Sequence, residues 1–235
     1  MKNSKEYNSS CFLFVICVSN EKLYKICKFY ISQLDIPEFF SIEYLPIYNA
    51  ISMTEGYNQA LKHPAKYKIY LHQDVFIENL FFLKDILEIF ISNPQVGFIG
   101  MIGCSKLPKN GIWWQTPTIN GKVVDYVDKQ KRYLDFQKNN EYVSNTFIRA
   151  EAVDGLLIAT QYDLPWKEEL FNGFHFYDIS QCLEFKKAGY IGAIPLQKDY
   201  WCVHYSLTHT VNEQIYENYR QILIQNYQDV IEKPL

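Results

Sequence analysis

Residues 67–82, YKIYLHQDVFIENLFF, place an apolar run directly before a histidine, a glutamine and an aspartate. Ile69-Tyr70-Leu71 is typical of a buried strand, and His72-Gln73-Asp74 interrupts it before apolar residues resume at Val75. Burying a carboxylate without a partner is costly, so we expect another group to meet Asp74 there. The stretch therefore predicts a strand that ends on polar side chains.

The residues around this stretch alternate between strand and helix patterns. Ser19-Asn20 is typical of a turn or a helix N-cap, and Ser52 with Glu55 three residues later is typical of a capping box. Up to residue 104, the pattern predicts strands over 11–19, 39–48, 67–75 and 96–104 and helices over 21–34, 52–64 and 77–93.

Repetition of this kind predicts an α/β fold with a mostly parallel central sheet that is flanked by helices on both faces. In such sheets, ligands bind outside the carboxyl ends of the strands. Asp74 lies at such an end, so we expect it at the rim of a cleft and not in the core.

The pattern loosens after residue 105 and becomes regular again near residue 148. We expect a hairpin or long loop around Asn120-Gly121 and exposed polar residues over 128–140. No repeat or linker is visible, which predicts one domain over 1–235 with its core at about 11–206. The later elements are predicted as a strand over 148–160 interrupted at Asp154-Gly155, a helix over 178–189, strands over 190–196 and 201–206 and a helix over 211–231.

Composition excludes two classes of protein. Hydrophobic residues make up 48% and aromatic residues 17% of the 235 residues, which is ample for a packed core. The formal charge of −3, without a lysine or arginine cluster, excludes an electrostatic nucleic-acid surface. The apolar run over 11–18 is too short for a membrane span, and charges interrupt the run over 76–91, so we expect no transmembrane segment.

The six cysteines show no CxxC and no metal-type spacing, and most lie in apolar surroundings. This usage predicts reduced core thiols in a cytoplasmic protein. The residues are Cys11, Cys17, Cys27, Cys104, Cys182 and Cys202.

Two aspartates beside strands are candidates for chemistry. Asp74 is suited to bind Mg²⁺ or Mn²⁺ next to a diphosphate, or alternatively to cap the helix predicted near Ile77. Asp154 is a candidate for orienting an acceptor hydroxyl, because the adjacent Gly155 lets a ligand approach closely. A simple β-bulge explains that pair almost as well.

Two further candidates lie later in the chain. His175 and Asp178 are three residues apart at the start of a predicted helix and so share one face. Asp178 is a candidate general base, or alternatively an acid favoured by the helix dipole, which would lower its pKa. His204 is a candidate metal ligand, although a lone histidine on a strand is more often structural. His63 and His209 are typical of turns.

Taken in order, four motifs resemble the family 2-like glycosyltransferases of the GT-A fold, over about residues 11–206. The closest resemblance is to a bacterial branch in which the usual Asp-x-Asp reads His-Gln-Asp. It implies a nucleotide-sugar-dependent, inverting hexosyltransferase that uses Mn²⁺ or Mg²⁺ and acts on a glycan or glycoconjugate in polysaccharide biosynthesis, with UDP favoured as the common donor nucleotide. The motifs are HQD (72–74), VDG (153–155), FHFYD (174–178) and VHYS (203–206).

The resemblance also implies roles for single residues. Asp74 would hold the metal with His204 as a second ligand, and Asp178 would be the catalytic base. Trp113, Trp114 and Trp166 would offer flat faces to sugar rings, with core packing as the alternative. The positions implied to bind substrate are Val18, Ser19, Asn20, Asn58, His72, Gln73, Trp114, Asp154, Gly155 and His175.

The sequence departs from the family pattern at three positions: His72 replaces the first aspartate, Tyr177 precedes Asp178 where glutamate is usual, and Ser180 stands where a second acid is expected. A non-catalytic module that holds a nucleotide sugar or glycan is the alternative function, and the presence of both Asp74 and Asp178 favours the enzyme. A flavodoxin-like protein is a weaker alternative, because no GxGxxG or P-loop motif is present. We expect a partner transferase or a second copy of the chain, or residues 105–150, to shape acceptor choice.

Overall fold

Strands and helices alternate through the first hundred residues of the computed structural model, which describes residues 6–128, 130–137, 146–206 and 212–233. The strands are β1 (Asn8–Val18), β2 (Ser41–Tyr48), β3 (Ala65–Leu71), β4 (Val75–Ile77), β5 (Val96–Gly100), β6 (Ile102–Cys104), β7 (Ile119–Val127), β8 (Gln130–Asp135), β9 (Phe147–Ala150), β10 (Ala152–Val153), β11 (Leu157–Thr160), β12 (Ile191–Pro195) and β13 (Cys202–His204). The helices are α1 (Glu21–Ser32), α2 (Met53–Asn58), α3 (Phe82–Ser92), α4 (Tyr177–Lys187) and α5 (Glu213–Glu232), and a 3₁₀ turn over Gln59–Lys62 extends α2.

The central sheet has seven strands in the order β2-β1-β3-β11-β5-β12-β9. β1 pairs parallel with β2 and β3, β5 pairs parallel with β12, and the pairings of β11 and β9 are antiparallel. Five of the seven strands therefore run in one direction, which confirms the α/β fold with a mostly parallel sheet. The two reversed strands both come from the stretch in which Asp154-Gly155 interrupts the predicted strand.

A second sheet, in the order β10-β6-β7-β13-β4, carries the late part of the chain back to the end of β3. β4 follows Asp74 directly and pairs antiparallel with β13, so that His204 lies opposite Val75. The carbonyl of Asp74 also accepts a hydrogen bond of 2.8 Å from Tyr205 N. This pairing brings two predicted ligands, far apart in sequence, to the same place.

The buried residues explain why these elements form. The stretch Cys11–Ile16 of β1 is completely buried, as its continuous apolar sequence predicts. Asn20 caps α1, and Ser52 Oγ accepts a hydrogen bond from Glu55 N at the start of α2, as expected for helix N-caps. All six cysteines are free thiols, five of them buried. No helix within the described residues is long and apolar enough to cross a membrane.

Two local predictions are wrong, in each case because sheet pairing overrides a local signal. Asn120-Gly121 lies inside β7 and not in a turn, and a Cβ at Gly121 would come 2.1 Å from the carbonyl oxygen of Met101. The helix predicted from Ile77 begins only at Phe82, because Val75–Ile77 pairs with β13. Asp74 therefore does not cap that helix.

Residues 130–135 form the strand β8, whose side chains are mostly exposed as predicted. Four residues of the predicted polar segment, 129 and 138–140, lie outside the described residues, as does His209. His63 lies in a turn before β3, where its Nδ1 accepts a hydrogen bond from Ala65 N.

Candidate active site

The turn after β1 is held in place by the side chain of Gln73. Gln73 Oε1 accepts hydrogen bonds from the backbone N–H groups of Ser19 (2.9 Å) and Asn20 (2.7 Å), and its Nε2 donates to Ser19 Oγ (2.8 Å). Asn20 Oδ1 accepts hydrogen bonds from the N–H groups of Lys22 and Leu23. Both amide side chains, predicted to bind substrate, thus build the turn itself.

A cavity of about 450 Å³ opens beside this turn, at the carboxyl ends of β1 and β3. This is the position in which α/β sheets bind ligands. Asp74 lies at its rim, as expected from the sequence. The lining residues are Cys17, Val18, Ser19, Asn49, Ala50, Met53, His72, Gln73, Asp74, Phe174 and Tyr177. We call this space the β1–β3 cavity.

Two half-buried side chains of this cavity, His72 and Asp74, could hold a cation together with the neighbouring, half-buried His204. Ligand atoms of His72, Asp74 and His204 all lie within 4.8 Å of one another. His204 Nε2 is 3.8 Å from Asp74 Oδ1, and His204 Nδ1 is 3.7 Å from Asp125 Oδ1. Asp125 therefore lies where a second carboxylate can orient the imidazole, as is usual for histidine ligands. Asp74 and His204 were the predicted ligands, and the structure adds His72, for which only substrate contact was predicted.

The donor set suits a divalent first-row metal. Imidazole nitrogens favour borderline cations, and a carboxylate oxygen also accepts Mn²⁺ or Mg²⁺. Burial lowers the pKa of His72 from its ordinary value, against the opposing effect of the Asp74 carboxylate. A neutral imidazole is the form that binds a metal.

A second cavity, of about 290 Å³, lies next to the first and shares with it the side chains of His72, Phe174 and Tyr177. It is built largely from the start of α4, the loop between β10 and β11, and one tyrosine of α5. Its other lining residues are Gly111, Trp113, Trp114, Asp154, Gly155, His175, Phe176, Asp178, Ile179, His204 and Tyr216. We call this space the α4 cavity.

Asp178 is the carboxylate of the α4 cavity that is best placed to take a proton. Its Oδ2 accepts a hydrogen bond from Gly155 N and its Oδ1 one from Ile179 N, each 2.9 Å long. Burial, and then the nearby charge of Asp154, raise the pKa of Asp178 to about 7 despite these hydrogen bonds. The expectation that the helix end lowers this pKa is therefore wrong, because desolvation outweighs the backbone donors.

Gly155 is packed too closely to carry a side chain. A Cβ built on it would lie 2.2 Å from Tyr177 Oη and 3.0 Å from the Cβ of Asp178. The adjacent Asp154 accepts a hydrogen bond of 2.9 Å from Leu156 N, which shapes the loop between β10 and β11. The predicted close approach at this glycine is thus made by α4 of the same chain.

Tyr177 joins the two cavities, although no role was predicted for it. Its hydroxyl lies 2.5 Å from His72 Nε2 and donates a hydrogen bond of 3.2 Å to the carbonyl of Gly155. Burial raises its pKa well above the ordinary value, so the phenol keeps its proton. The preceding Phe176 has φ 59°, a left-handed conformation that is uncommon outside glycine and often found at functional sites.

The aromatic residues divide between the α4 cavity and the core. Trp114 is 47% exposed, and its ring centroid lies 6.0 Å from that of Tyr216 on α5. His175 packs against the same tyrosine at 5.5 Å, and burial lowers its pKa. Trp113 lines the cavity from a buried position, whereas Trp166 is 1% exposed and packs among core tyrosines.

Asn58 lies apart from the residues that line either cavity. Its Nδ2 donates to Trp166 O (2.9 Å) and to Glu168 Oε2 (3.1 Å), and its Oδ1 accepts from Trp166 N (2.8 Å). The geometry favours a brace between α2 and the loop after β11 over the substrate contact that was predicted for this residue.

The model of the family described as "Glycosyltransferase like family" matches residues 13–227. The chain belongs to this family. No curated protein shows significant sequence similarity to this glycosyltransferase-like chain.

Solved structures show the same fold at low identity. A fragment of Staphylococcus aureus TarS, residues 1–349, is 13% identical with a TM-score of 0.51, over 92% of this chain and 65% of the fragment. The same fragment in complex with UDP-GlcNAc is 10% identical with a TM-score of 0.52, over 93% of this chain and 66% of that one. The likeness confirms the predicted GT-A fold. The chain spans somewhat less than two thirds of the TarS fragment's length.

Proposed function

We propose that this chain transfers a sugar from a nucleoside-diphosphate sugar to a hydroxyl group of a glycan or glycoconjugate, with inversion at the anomeric carbon. The observation that carries the proposal is the contact between the two cavities. His72 and Asp74 line the β1–β3 cavity, and His204 and Asp178 line the adjoining α4 cavity. An acceptor in the α4 cavity would therefore meet a donor in the β1–β3 cavity.

The donor would occupy the β1–β3 cavity, with its nucleoside near Val18 and Ser19 and its diphosphate near Asp74. A divalent metal bound there would neutralise the charge of the diphosphate leaving group. His72, Asp74 and His204 would hold it, and Gln73 would keep the Ser19–Asn20 turn in the conformation that receives the donor. UDP is the proposed nucleotide, and the UDP-GlcNAc complex of the TarS fragment supports this choice.

Asp178 would act on the acceptor. Its carboxylate would take the proton of the acceptor hydroxyl while that oxygen bonds to the anomeric carbon, and the bond from that carbon to the phosphate oxygen breaks with its electron pair on the nucleoside diphosphate. A pKa of about 7 suits this role, because a general base works best when its pKa lies near the working pH. Asp154 and His175 line the same space and would position the acceptor.

The aromatic wall of the α4 cavity supports a carbohydrate acceptor. Trp114, Phe174 and Tyr216 present flat apolar faces there, and Trp114 and Phe174 are exposed. Aromatic rings with a polar rim suit sugar rings, which have one apolar face and a belt of hydroxyls. Surface-polysaccharide synthesis in a bacterial cytoplasm is the proposed setting, supported by the six free thiols. We also propose a partner transferase or a second copy of the chain as a contributor to acceptor choice.

Calorimetric titration with UDP and GDP, each with Mn²⁺ and then with EDTA, tests the donor site. We expect metal-dependent binding of UDP, weakened strongly in Asp74→Ala. Release of UDP from UDP-sugars with candidate acceptors then tests turnover, which Asp178→Asn should abolish without loss of donor binding. Absence of binding to either nucleotide would contradict the proposal, and binding without turnover for any acceptor would favour the non-catalytic module.

A further inference from the structure

Three groups from distant parts of the chain form a short hydrogen-bonded series. His72 Nε2, at the end of β3, lies 2.5 Å from Tyr177 Oη, at the start of α4. The same hydroxyl donates to Gly155 O, 3.2 Å away in the loop between β10 and β11. The series thus runs from a backbone carbonyl, through a phenol, to an imidazole at the candidate metal site.

The number of protons in this series determines which ring nitrogen of His72 is unprotonated and so has a lone pair for a metal. A phenol has one proton to donate, and a backbone carbonyl can only accept. Both contacts of the Tyr177 hydroxyl can therefore be hydrogen bonds at once only if it donates to Gly155 O and accepts from His72. The His72 contact is then a hydrogen bond only if Nε2 carries the ring proton. In the neutral imidazole, that leaves the lone pair on Nδ1.

We propose that Tyr177 is a positioning residue that holds His72 in its Nε2–H form, so that Nδ1 is available to a cation bound with Asp74 and His204. The inference rests on the metal site of the proposed function. Histidine ligands commonly donate their second ring N–H to a carboxylate or carbonyl, which fixes the tautomer and the ring orientation. Here the Tyr177 hydroxyl is the acceptor for His72, because it donates its own proton to Gly155 O.

The packing around Tyr177 makes it suited to this role. The side chain is buried, and its ring lies 6.0 Å from that of Tyr57 and 6.1 Å from that of Trp166, between centroids. The absence of a Cβ at Gly155 lets the hydroxyl reach the carbonyl, because a Cβ there would lie 2.2 Å from Tyr177 Oη. Gly155 N also donates to Asp178, so one glycine fixes both the residue that orients His72 and the proposed base.

Nitrogen NMR of the metal-free protein at neutral pH tests the tautomer without any assay of activity. In uniformly ¹⁵N-labelled protein, two-bond ¹⁵N–¹H correlations of the imidazoles, assigned with His72→Ala, distinguish a protonated from an unprotonated ring nitrogen. We expect His72 to show protonated Nε2 and unprotonated Nδ1. Protonation of Nδ1 with a free Nε2 would overturn the inference.

Metal affinity tests the consequence. We expect Tyr177→Phe to weaken Mn²⁺ binding in the presence of UDP by about 10- to 100-fold, the usual effect of removing a group that orients a ligand. Tyr57→Phe, which removes a hydroxyl from the neighbouring ring, is the matched control and should bind Mn²⁺ as wild type does. In a His72→Ala background, Tyr177→Phe should cause no further loss, because the group it orients is absent.

The outcomes separate this inference from the proposed function. If the wild type binds Mn²⁺ and Tyr177→Phe binds it equally tightly, the role of Tyr177 is overturned and the metal site is not. A further loss of the same size in the His72→Ala background would also overturn it, because Tyr177 would then act independently of His72. No Mn²⁺ binding by the wild-type protein would overturn the metal site and this inference with it.

Discussion

Asp178 and Gly155 are joined by a 2.9 Å hydrogen bond between a carboxylate oxygen of α4 and the backbone N–H of the loop between β10 and β11. Two successive residues of α4 thus hold one glycine, since Tyr177 also donates to the Gly155 carbonyl. The proposed base and the start of its helix are therefore positioned by contacts with position 155, and these contacts require glycine there.

Gly155→Ala should disable the site. Its Cβ would collide with the Tyr177 hydroxyl, so α4 or the loop must shift, at a cost of about 1–3 kcal/mol in the free energy of unfolding. We expect turnover to fall by more than about 10-fold, because a misplaced catalytic group loses much of its effect. Gly189→Ala is the control: this glycine has φ +86° and a Cβ built on it would meet nothing within 4 Å, so strain should cost about 1 kcal/mol while activity persists. Normal turnover in folded Gly155→Ala would contradict the prediction.

The raised pKa of Asp178 predicts the pH dependence of activity. A base must be ionised to accept a proton, so kcat/KM should rise as the pH increases through about 7 and then level off. Asp178→Asn should lower kcat by about 10²- to 10⁴-fold and remove this rise. Initial rates between pH 5.5 and 9 measure both effects, with UDP affinity as the control. An unchanged profile in the variant would assign the titration to another group.

The same pKa makes a separate prediction about stability. Asp178 has a higher pKa in the folded than in the unfolded protein, so between about pH 4 and pH 7 the folded state binds the extra proton. Its contribution to stability is therefore greatest below the unfolded pKa and is lost as the pH rises through the folded one. Relative to wild type, the Tm of Asp178→Asn should rise as the pH increases from 5 to 8. A difference in Tm that is constant with pH would contradict the prediction.

The donor set predicts a metal preference that one substitution should change. Two imidazoles and one carboxylate favour Mn²⁺ over the harder Mg²⁺, which prefers oxygen ligands. We expect tighter UDP binding with Mn²⁺ than with Mg²⁺ in the wild type, and a smaller difference in His72→Asp, which adds an oxygen ligand. Titration of UDP with each metal gives the ratio of the two affinities. An equal ratio in the two proteins would exclude His72 from the metal site.

Asn58→Ala should affect stability and leave donor affinity unchanged. The substitution removes three hydrogen bonds and leaves backbone groups of Trp166 without that partner, at a cost of about 1–3 kcal/mol. Denaturant unfolding measures the loss, and UDP titration of the folded variant tests for substrate contact. A fall in UDP affinity larger than the effect of Asp154→Ala would place Asn58 at the donor after all.

Local sequence patterns predicted the parts of the fold that depend on local chemistry. The continuous apolar run of β1 and the polar ending of β3 place Asp74 at the edge of the sheet, as the structure has it. Asn120-Gly121 shows the limit of such patterns. A turn signal there is overridden by strand pairing and by the close approach of Met101.

The site was predictable where a residue acts through its own chemistry, and less so where it acts through a distant partner. Asp74, Asp178 and His204 are recognisable in their motifs as candidate acids and a candidate ligand. Tyr177 and Asp125 gave no such signal, because their significance lies in contacts with His72 and His204 that only the tertiary fold creates. Desolvation explains the wrong direction predicted for the pKa of Asp178, since the depth of burial is a property of the folded chain.

The pairing of β4 with β13 has a consequence for how the protein would mature. It brings His204 to Asp74 only after most of the chain has been synthesised, so a nascent or truncated chain that lacks β13 has an incomplete ligand set. A cation bound there would link an early strand to a late one, and ligands that bind only the folded state stabilise it by mass action. Manganese supply would then govern resistance to proteolysis as well as catalysis, since the occupied site would tie the last third of the polypeptide to the first.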